Sequence, residues 1–374
     1  MTTRKEDAHL DIAAASHPGK AGKKNEDRYR VSSFLTGPER DIPAVLAVLC
    51  DGIGGHRAGE VAAQMGVDLI TEVVLASDGE KPLKTLEKAI RHANHAIFEA
   101  SLSDRGRKGM GATCACAWVI DDRLYTANLG DSRIYLLRGD HILQLSTDHT
   151  WLQEAFDAGI IDDPEAEDHP NAHVIRRYLG SSKAPRPDFR LWFFEGEGDA
   201  EALENQGLRL EPGDMLLLCS DGLTDLVSDE EIHSLIKSTP LSKVPSALSV
   251  LANDRGGHDN ITVIVIGVPT GSAEEGRKAR RPRRLVGCLV GLLIFVLLAA
   301  ALLIGLRWRE GQVVSPTASP PAAARTVTSQ PPGVFPVTAT FTLSATVTLS
   351  PEVEEGMATP FPTLTPWPTH TSAP

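Results

Sequence analysis

Aromatic residues make up only 5% of the 374 residues, too few to build one large globule from the whole chain. Cysteine is equally sparse. The five present, Cys50, Cys114, Cys116, Cys219 and Cys288, sit in apolar runs with no C-x-x-C spacing. This excludes a disulfide framework or a zinc cluster and predicts buried free thiols in a reducing compartment. Positive charge is in deficit, with 37 Lys and Arg against 49 Asp and Glu, net −12. Such a field repels a polyanion and excludes a nucleic-acid binder driven by charge. The first ten residues carry no apolar run, so no cleavable secretion signal is expected. Neither a G-x-x-x-x-G-K-[ST] loop nor a C-x5-R loop occurs, which argues against an ATPase, a kinase or a cysteine nucleophile.

What is present is distributed unevenly. Residues 1–276 hold 28 Lys and Arg against 45 Asp and Glu, net −17, whereas the remainder holds 9 against 4, net +5. From Leu285 to Leu306 runs an uncharged apolar stretch, about 33 Å long as a helix and enough to cross a ~30 Å hydrocarbon core. Six positive charges between Arg277 and Arg284 precede it, and Arg307 and Arg309 follow. The expectation is a single-pass transmembrane helix with the N-terminal part cytoplasmic and the C-terminus outside. The basic run reads as a topology signal and a contact to anionic lipid. Residues 307–374 are rich in Pro and Thr, with 12 of the 25 prolines after residue 310, and read as a disordered extracytoplasmic stalk. The division expected is a catalytic domain over 1–270, a basic linker over 271–284, the span over 285–306 and the tail over 307–374.

The first part alternates strand and helix signals. Strands are predicted at 43–50, 112–120, 123–128, 133–137, 214–219 and 261–267, and helices at 59–75, 83–100, 229–236 and 243–253. Consecutive strands come in hairpin-like pairs, which favours an α+β fold with a mainly antiparallel sheet and covering helices. Acidic residues recur where apolar runs end, beside glycine: Asp27, Asp51-Gly52, Gly130-Asp131, Asp221-Gly222 and Asp259. One Asp-Gly is an ordinary turn. Five such sites gathered at the mouth of a core would repel one another unless hard cations neutralised them, and an all-oxygen ligand set selects Mg²⁺ or Mn²⁺. Glycine beside aspartate also leaves room for a backbone carbonyl to approach a metal.

The ordered motifs Asn25-Glu-Asp-Arg28, Asp51-Gly-Ile-Gly-Gly-His-Arg-Ala-Gly-Glu60, Gly109-Met-Gly-Ala-Thr113, Asn128-Leu-Gly-Asp-Ser-Arg133, Ser220-Asp-Gly-Leu-Thr-Asp225 and Asp259-Asn-Ile-Thr262 resemble the metal-dependent protein phosphatases of the protein phosphatase 2C type, in their bacterial form. The resemblance covers about residues 8–268. It implies a sandwich of two antiparallel sheets flanked by helices, and two Mn²⁺ or Mg²⁺ ions bridged by Asp51. The Gly52 carbonyl, Asp221 and Asp259 would complete the first ion's shell, with Asp27 and its neighbour Glu26 at the second. Asp131 with Asp221 would hold a third, weaker ion. Asp51, Asp221 and Asp259 are thus the expected catalytic residues. Two such ions, roughly 3.5–4 Å apart, would bring a bridging water towards hydroxide for in-line attack on phosphorus without a phosphoenzyme. The segment from Asp148 to Ser181 resembles the family's flap.

Two positions depart from the family pattern. The arginine that many members place five residues before the first aspartate is Gly22 here, which leaves Lys23 or Lys20 as the expected phosphate-binding cation. The histidine found after Asp-Gly in many eukaryotic members is Ile53 here. His56 then takes a structural role, and a water near Asp131 is the expected acid. The function expected is a membrane-anchored serine/threonine phosphoprotein phosphatase. Its partners would be phosphorylated proteins, a membrane Ser/Thr kinase among them, with lipid held through the anchor and no nucleic acid. The alternative is a catalytically weak phosphatase-fold sensor or scaffold at the membrane.

Overall fold

The computed structural model describes residues 9–270 apart from 23, 54–57, 162–168 and 195. Lys23, His56, Cys288, the basic linker, the apolar span and the tail therefore lie outside the described residues. Among the described residues no helix is long and apolar enough to cross a membrane.

In chain order the strands are β1 (Asp11–His17), β2 (Arg28–Thr36), β3 (Ile42–Cys50), β4 (Gly52–Ile53), β5 (Gly111–Ala112), β6 (Cys114–Ile120), β7 (Arg123–Leu129), β8 (Arg133–Arg138), β9 (His141–Gln144), β10 (Leu208–Arg209), β11 (Met215–Cys219) and β12 (Ile261–Gly267). The helices are α1 (Gly59–Ala76), α2 (Pro82–Ser103), α3 (Trp151–Asp157), α4 (Asp199–Glu204), α5 (Asp221–Thr224), α6 (Asp229–Ser238) and α7 (Val244–Asp254). Two five-stranded sheets form, in the orders β1-β12-β11-β8-β9 and β10-β7-β6-β3-β2, and β4 pairs with β5 separately. Their pairings are antiparallel throughout.

The alternation of side chains along each strand builds the layers. On β3, Val45, Ala47 and Leu49 face the second sheet, where they meet Ile134, Leu216, Leu218 and Ile264. The intervening Ala44, Leu46, Val48 and Cys50 face α1 and α2 through Ile70, Val74, Ile90 and Ile97. On β12, Ile264 and Ile266 join the layer between the sheets, whereas Val263 and Val265 pack on Leu248 of α7 and Ile232 of α6. Because both faces of β3 and β12 are covered, their sequences read as unbroken apolar runs. The result is the expected α+β sandwich of two antiparallel sheets with helices on its outer faces. Trp118 is buried and stacks on Phe34, and Trp151 stacks on His169, ring centroids 6.4 and 4.4 Å apart, so both tryptophans are packing residues. Cys50, Cys114, Cys116 and Cys219 are buried free thiols.

One expected strand, over 112–120, is broken at Thr113. Gly111–Ala112 leaves the sheet to pair with Gly52–Ile53, and the sheet strand starts at Cys114. The break sits at one end of the sandwich. There β3 ends at Cys50, β11 at Cys219 and β7 at Leu129, while β2, β8 and β12 begin at Arg28, Arg133 and Ile261. Cys50 opposes Arg28, and Cys219 opposes both Arg133 and Val263. The five acidic positions are the residues just beyond these strand ends.

Candidate active site

Asp27 and Asp131 are buried, and Asp51, Asp221 and Asp259 are partly accessible. Asp27, Asp51 and Asp259 are tied in place by hydroxyl and amide groups that stand in the same motifs. Asp51 donates its N–H to Thr113 Oγ1 at 2.8 Å and accepts the Thr113 N–H at 2.8 Å. Thr113 Oγ1 in turn lies 2.8 Å from Ser132 Oγ, which ties Asp51 to the neighbour of Asp131. Ser220 Oγ donates to Asp27 Oδ2 at 2.8 Å and accepts the Thr262 N–H at 2.9 Å. Asn260 Oδ1 accepts the Glu26 N–H at 2.7 Å, and its own N–H donates to Asp259 Oδ1 at 2.8 Å. Hydroxyl and amide side chains thus fasten segments distant in sequence into one carboxylate cluster.

The glycines beside Asp51 and Asp221 are also points of close backbone approach. Neither Gly52 nor Gly222 has a positive φ. A Cβ on Gly52 would stand 2.4 Å from the Gly59 carbonyl carbon, and one on Gly222 would stand 2.1 Å from the Asn260 carbonyl oxygen. They are glycine so that backbones can touch, closing the α1 start onto Asp51 and Asp221 onto Asp259. Gly222→Ala should separate the latter pair. It is expected to cost about 1–3 kcal/mol as overpacking and to raise the Mn²⁺ concentration that stabilises the protein, both read from thermal melts with and without Mn²⁺.

Burial pushes the Asp27 carboxyl up to about 6, against hydrogen bonds from Thr262 and Ser220 that pull it down. Burial, reinforced by the charge of Asp148, pushes Asp131 up to about 7. Asp51 and Asp221 are driven well above the usual carboxylate range, first by burial and then by their acidic neighbours. Asp27 Oδ1, Asp131 Oδ1 and Asp221 Oδ1 are buried with no hydrogen-bond partner. Three orphaned oxygens amid mutual repulsion are what hard cations with oxygen shells satisfy, so the residues fit Mg²⁺ or Mn²⁺. Among the described residues no three His, Cys, Asp or Glu side chains are grouped as ligands to one point; hard cations commonly take one or two carboxylates each with water completing the shell.

A cavity of about 410 Å³ opens onto the cluster, lined by Asp131, Asp221, Asp225, Arg133, His173 and His258 among others. A larger hollow of about 580 Å³ adjoins it across Asp148 but contains none of the clustered carboxylates, so the chemistry belongs to the smaller one. Asp225, one turn beyond Asp221, adds its charge to both Asp131 and Asp221, a contribution the motif contained but the sequence reading did not assign. The flap is fastened at both ends. Arg133 Nε donates to Asp148 Oδ2 at 2.9 Å, and Asn94 Oδ1 accepts the N–H groups of Gly180 and Ser181 at 2.8 and 3.1 Å. Lys20 pairs with Asp254 at 3.5 Å on the surface, its side chain 55% exposed, and is not among the residues lining the cavity.

Residues 16–248 match the protein phosphatase 2C family. The chain is 35% identical to protein phosphatase PhpP of Streptococcus pneumoniae over 269 residues, covering 71% of this chain and 100% of that protein. The Streptococcus agalactiae serine/threonine phosphatase structure is similar with a TM-score of 0.60 at 28% identity, covering 69% of this chain and 99% of that one. The catalytic domain of the phosphatase PstP in complex with two manganese ions matches with a TM-score of 0.55 at 32% identity, covering 69% and 97% respectively. A family match of this span, joined to a relative aligned along its entire length, means that the chain belongs to the protein phosphatase 2C family and is a serine/threonine phosphatase.

Proposed function

We propose that the protein is a membrane-anchored, Mn²⁺- or Mg²⁺-dependent phosphatase that removes phosphate from phosphoserine and phosphothreonine in proteins, a membrane Ser/Thr kinase among them. The observation that carries this reading is the set of orphaned buried oxygens on Asp27, Asp131 and Asp221 around Asp51. Asp27, Asp51, Asp221, Asp259 and the Gly52 carbonyl would hold two ions, and Asp131, Asp221 and Asp225 a third. Such ions, when bound, supply an activated water and positive charge opposite the phosphoryl oxygens.

The chain's own residues fix this arrangement. Thr113 holds the backbone of Asp51, and Ser220 orients Asp27. Among the described residues no thiol competes for the role of nucleophile. A hydrogen bond with Cys114 and then burial raise Cys50, and burial raises Cys116 and carries Cys219 up to about 12, so at neutral pH these remain thiols. This supports direct hydrolysis, without a cysteine phosphoenzyme.

Lys23 or Lys20 is the proposed phosphate cation, as a point charge without arginine's fork. The exposed pairing of Lys20 with Asp254 is worth little and leaves that side chain able to swing. Alanine at the true clamp is expected to raise KM for a phosphothreonine peptide several-fold with kcat nearly unchanged. If neither Lys20→Ala nor Lys23→Ala shifts KM, neither is the clamp.

The uncharged run over 285–306 and its six-charge collar support the anchor and a cytoplasmic catalytic domain. A fusion reporter that finds residues 1–270 outside the cell would overturn that orientation. The catalytic reading is tested by phosphopeptide hydrolysis with Mn²⁺ and with EDTA. Turnover that needs metal supports it, and its absence would leave the scaffold alternative.

A further inference from the structure

Behind Asp131 lies a second buried polar cluster that the proposed mechanism does not use. His149 is 3% and Asp188 8% exposed. His149 Nδ1 accepts the Gly130 N–H at 3.1 Å, and the His149 N–H donates to the Gly130 carbonyl at 2.9 Å. One residue therefore grips both peptide units flanking Gly130, the second of which carries the N–H of Asp131. Gly130 sits at φ +95°, so no other residue type holds this turn without strain.

The bond from Gly130 requires a lone pair on Nδ1 and puts the ring proton on Nε2. That nitrogen faces Asp188 Oδ2 at 3.3 Å, with Arg177 Nη1 3.4 Å away on the flap side. Asp188 is fixed in its turn. Its backbone exchanges two 2.9 Å bonds with Asn128, and its carboxylate accepts from Arg190 Nε at 2.9 Å. Burial works to raise the Asp188 carboxyl, but the bonds from His149 and Arg190 outweigh it and hold it well below the usual range. An ionised Asp188 thus holds a ring whose other edge holds the backbone of Asp131.

We propose that His149 is a positioning residue, oriented by Asp188, that sets the Gly130 turn and through it the placement of the Asp131 carboxylate for its cation. The proposal rests on the metal reading above. It is separable because the two nitrogens of His149 have different isosteres. His149→Asn keeps an acceptor where Nδ1 stands, whereas His149→Gln places an amide near Nε2 and abandons Gly130.

The test uses the full chain. Mn²⁺ binding is measured by calorimetry, kcat and KM with a phosphothreonine peptide, and folding by thermal melts. His149→Gln should weaken the weakest Mn²⁺ step about tenfold or more, the usual effect of losing a residue that orients a metal ligand, and lower kcat with KM within twofold. His149→Asn should stay within about threefold of the wild type in both, because the acceptor that orients the ligand backbone is retained. Asp188→Asn, which keeps the size of the side chain, should shift the same two quantities in the direction of His149→Gln and covers the case in which that variant does not fold. Equal Mn²⁺ affinity and kcat in the Asn and Gln variants, or an unaltered Asp188→Asn protein, would overturn the assignment. A wild-type chain that binds no Mn²⁺ would overturn both this and the metal reading.

Discussion

Asp51→Asn is expected to raise the melting temperature of the chelated protein while lowering Mn²⁺-supported phosphate release by at least about a thousandfold, the loss of several kcal/mol of metal-derived stabilisation. The two halves have one cause. Burial at the strand end and the neighbouring Asp27, Asp221, Asp131 and Asp259 all disfavour the charge of Asp51. An amide of the same shape removes that repulsion. Each unit of upward pKa shift relieved is worth about 1.4 kcal/mol, and for a domain of this size each kcal/mol moves Tm by roughly 2–4 °C. The same substitution removes the one carboxylate expected to bridge two cations, so the stabilisation by Mn²⁺ should shrink as the metal-free protein gains. A purely structural aspartate behaves oppositely, since its replacement lowers Tm in chelator. Thermal melts of both proteins in EDTA and in excess Mn²⁺, beside peptide hydrolysis, separate the two outcomes.

The second large effect is a pH dependence that changes sign with metal. Asp27 rises from 3.8 to about 6 and Asp131 from 3.8 to about 7 in the folded protein. Between about pH 4 and 7 the unfolded chain has released these protons while the folded one retains them. The folded state then binds more protons, and stability falls as pH rises. The contribution is fully present below about pH 4 and lost as pH passes through 6 and 7; Asp51 and Asp221, also raised, act in the same sense. Asp188, whose pKa is depressed, has the opposite sense, but it is ionised in both states throughout this window and adds no slope. In EDTA, Tm should therefore decline from pH 5 to 8. Mn²⁺ must displace the retained protons, so its affinity should climb with pH, and in excess Mn²⁺ the decline should flatten or reverse. A Tm that rises with pH in chelator would contradict the carboxylate cluster.

Which parts of the fold could be read from the sequence has a simple physical pattern. β3, β6, β7, β8, β11 and β12 were legible because they are interior strands buried on both faces, and α1, α2, α6 and α7 because they pack one apolar face. Besides the two-residue β4, the strands that escaped, β1, β2, β9 and β10, are the edges of the two five-stranded sheets. Edge strands are kept short or polar, which discourages pairing with other chains. β2, with Arg28, Arg30, Ser32 and Ser33 among its nine residues, carries no clean alternation to find. The site divides similarly. Asp51, Asp131 and Asp221 announced themselves by standing beside glycine at the ends of apolar runs, and the ordered motifs carried the expected roles of all five aspartates by resemblance. Ser220 stands in a motif too, but which carboxylate such a group aims is not legible, because Ser220 reaches Asp27 across 193 residues and His149 reaches Asp188 across 39. At Gly52 and Gly222 glycine also makes room for another backbone, a close approach between segments that the sequence alone does not show.

The most direct test of the central claim counts ions and turnover together. Protein stripped with chelator is titrated with Mn²⁺ while bound metal and phosphate release from a phosphothreonine peptide are followed. Activity is expected to be absent in EDTA, to appear as two ions bind, and to leave no phosphate covalently attached to the protein at any point in turnover. Hydrolysis that persists in the stripped protein, or a trapped phosphoenzyme, would contradict the account.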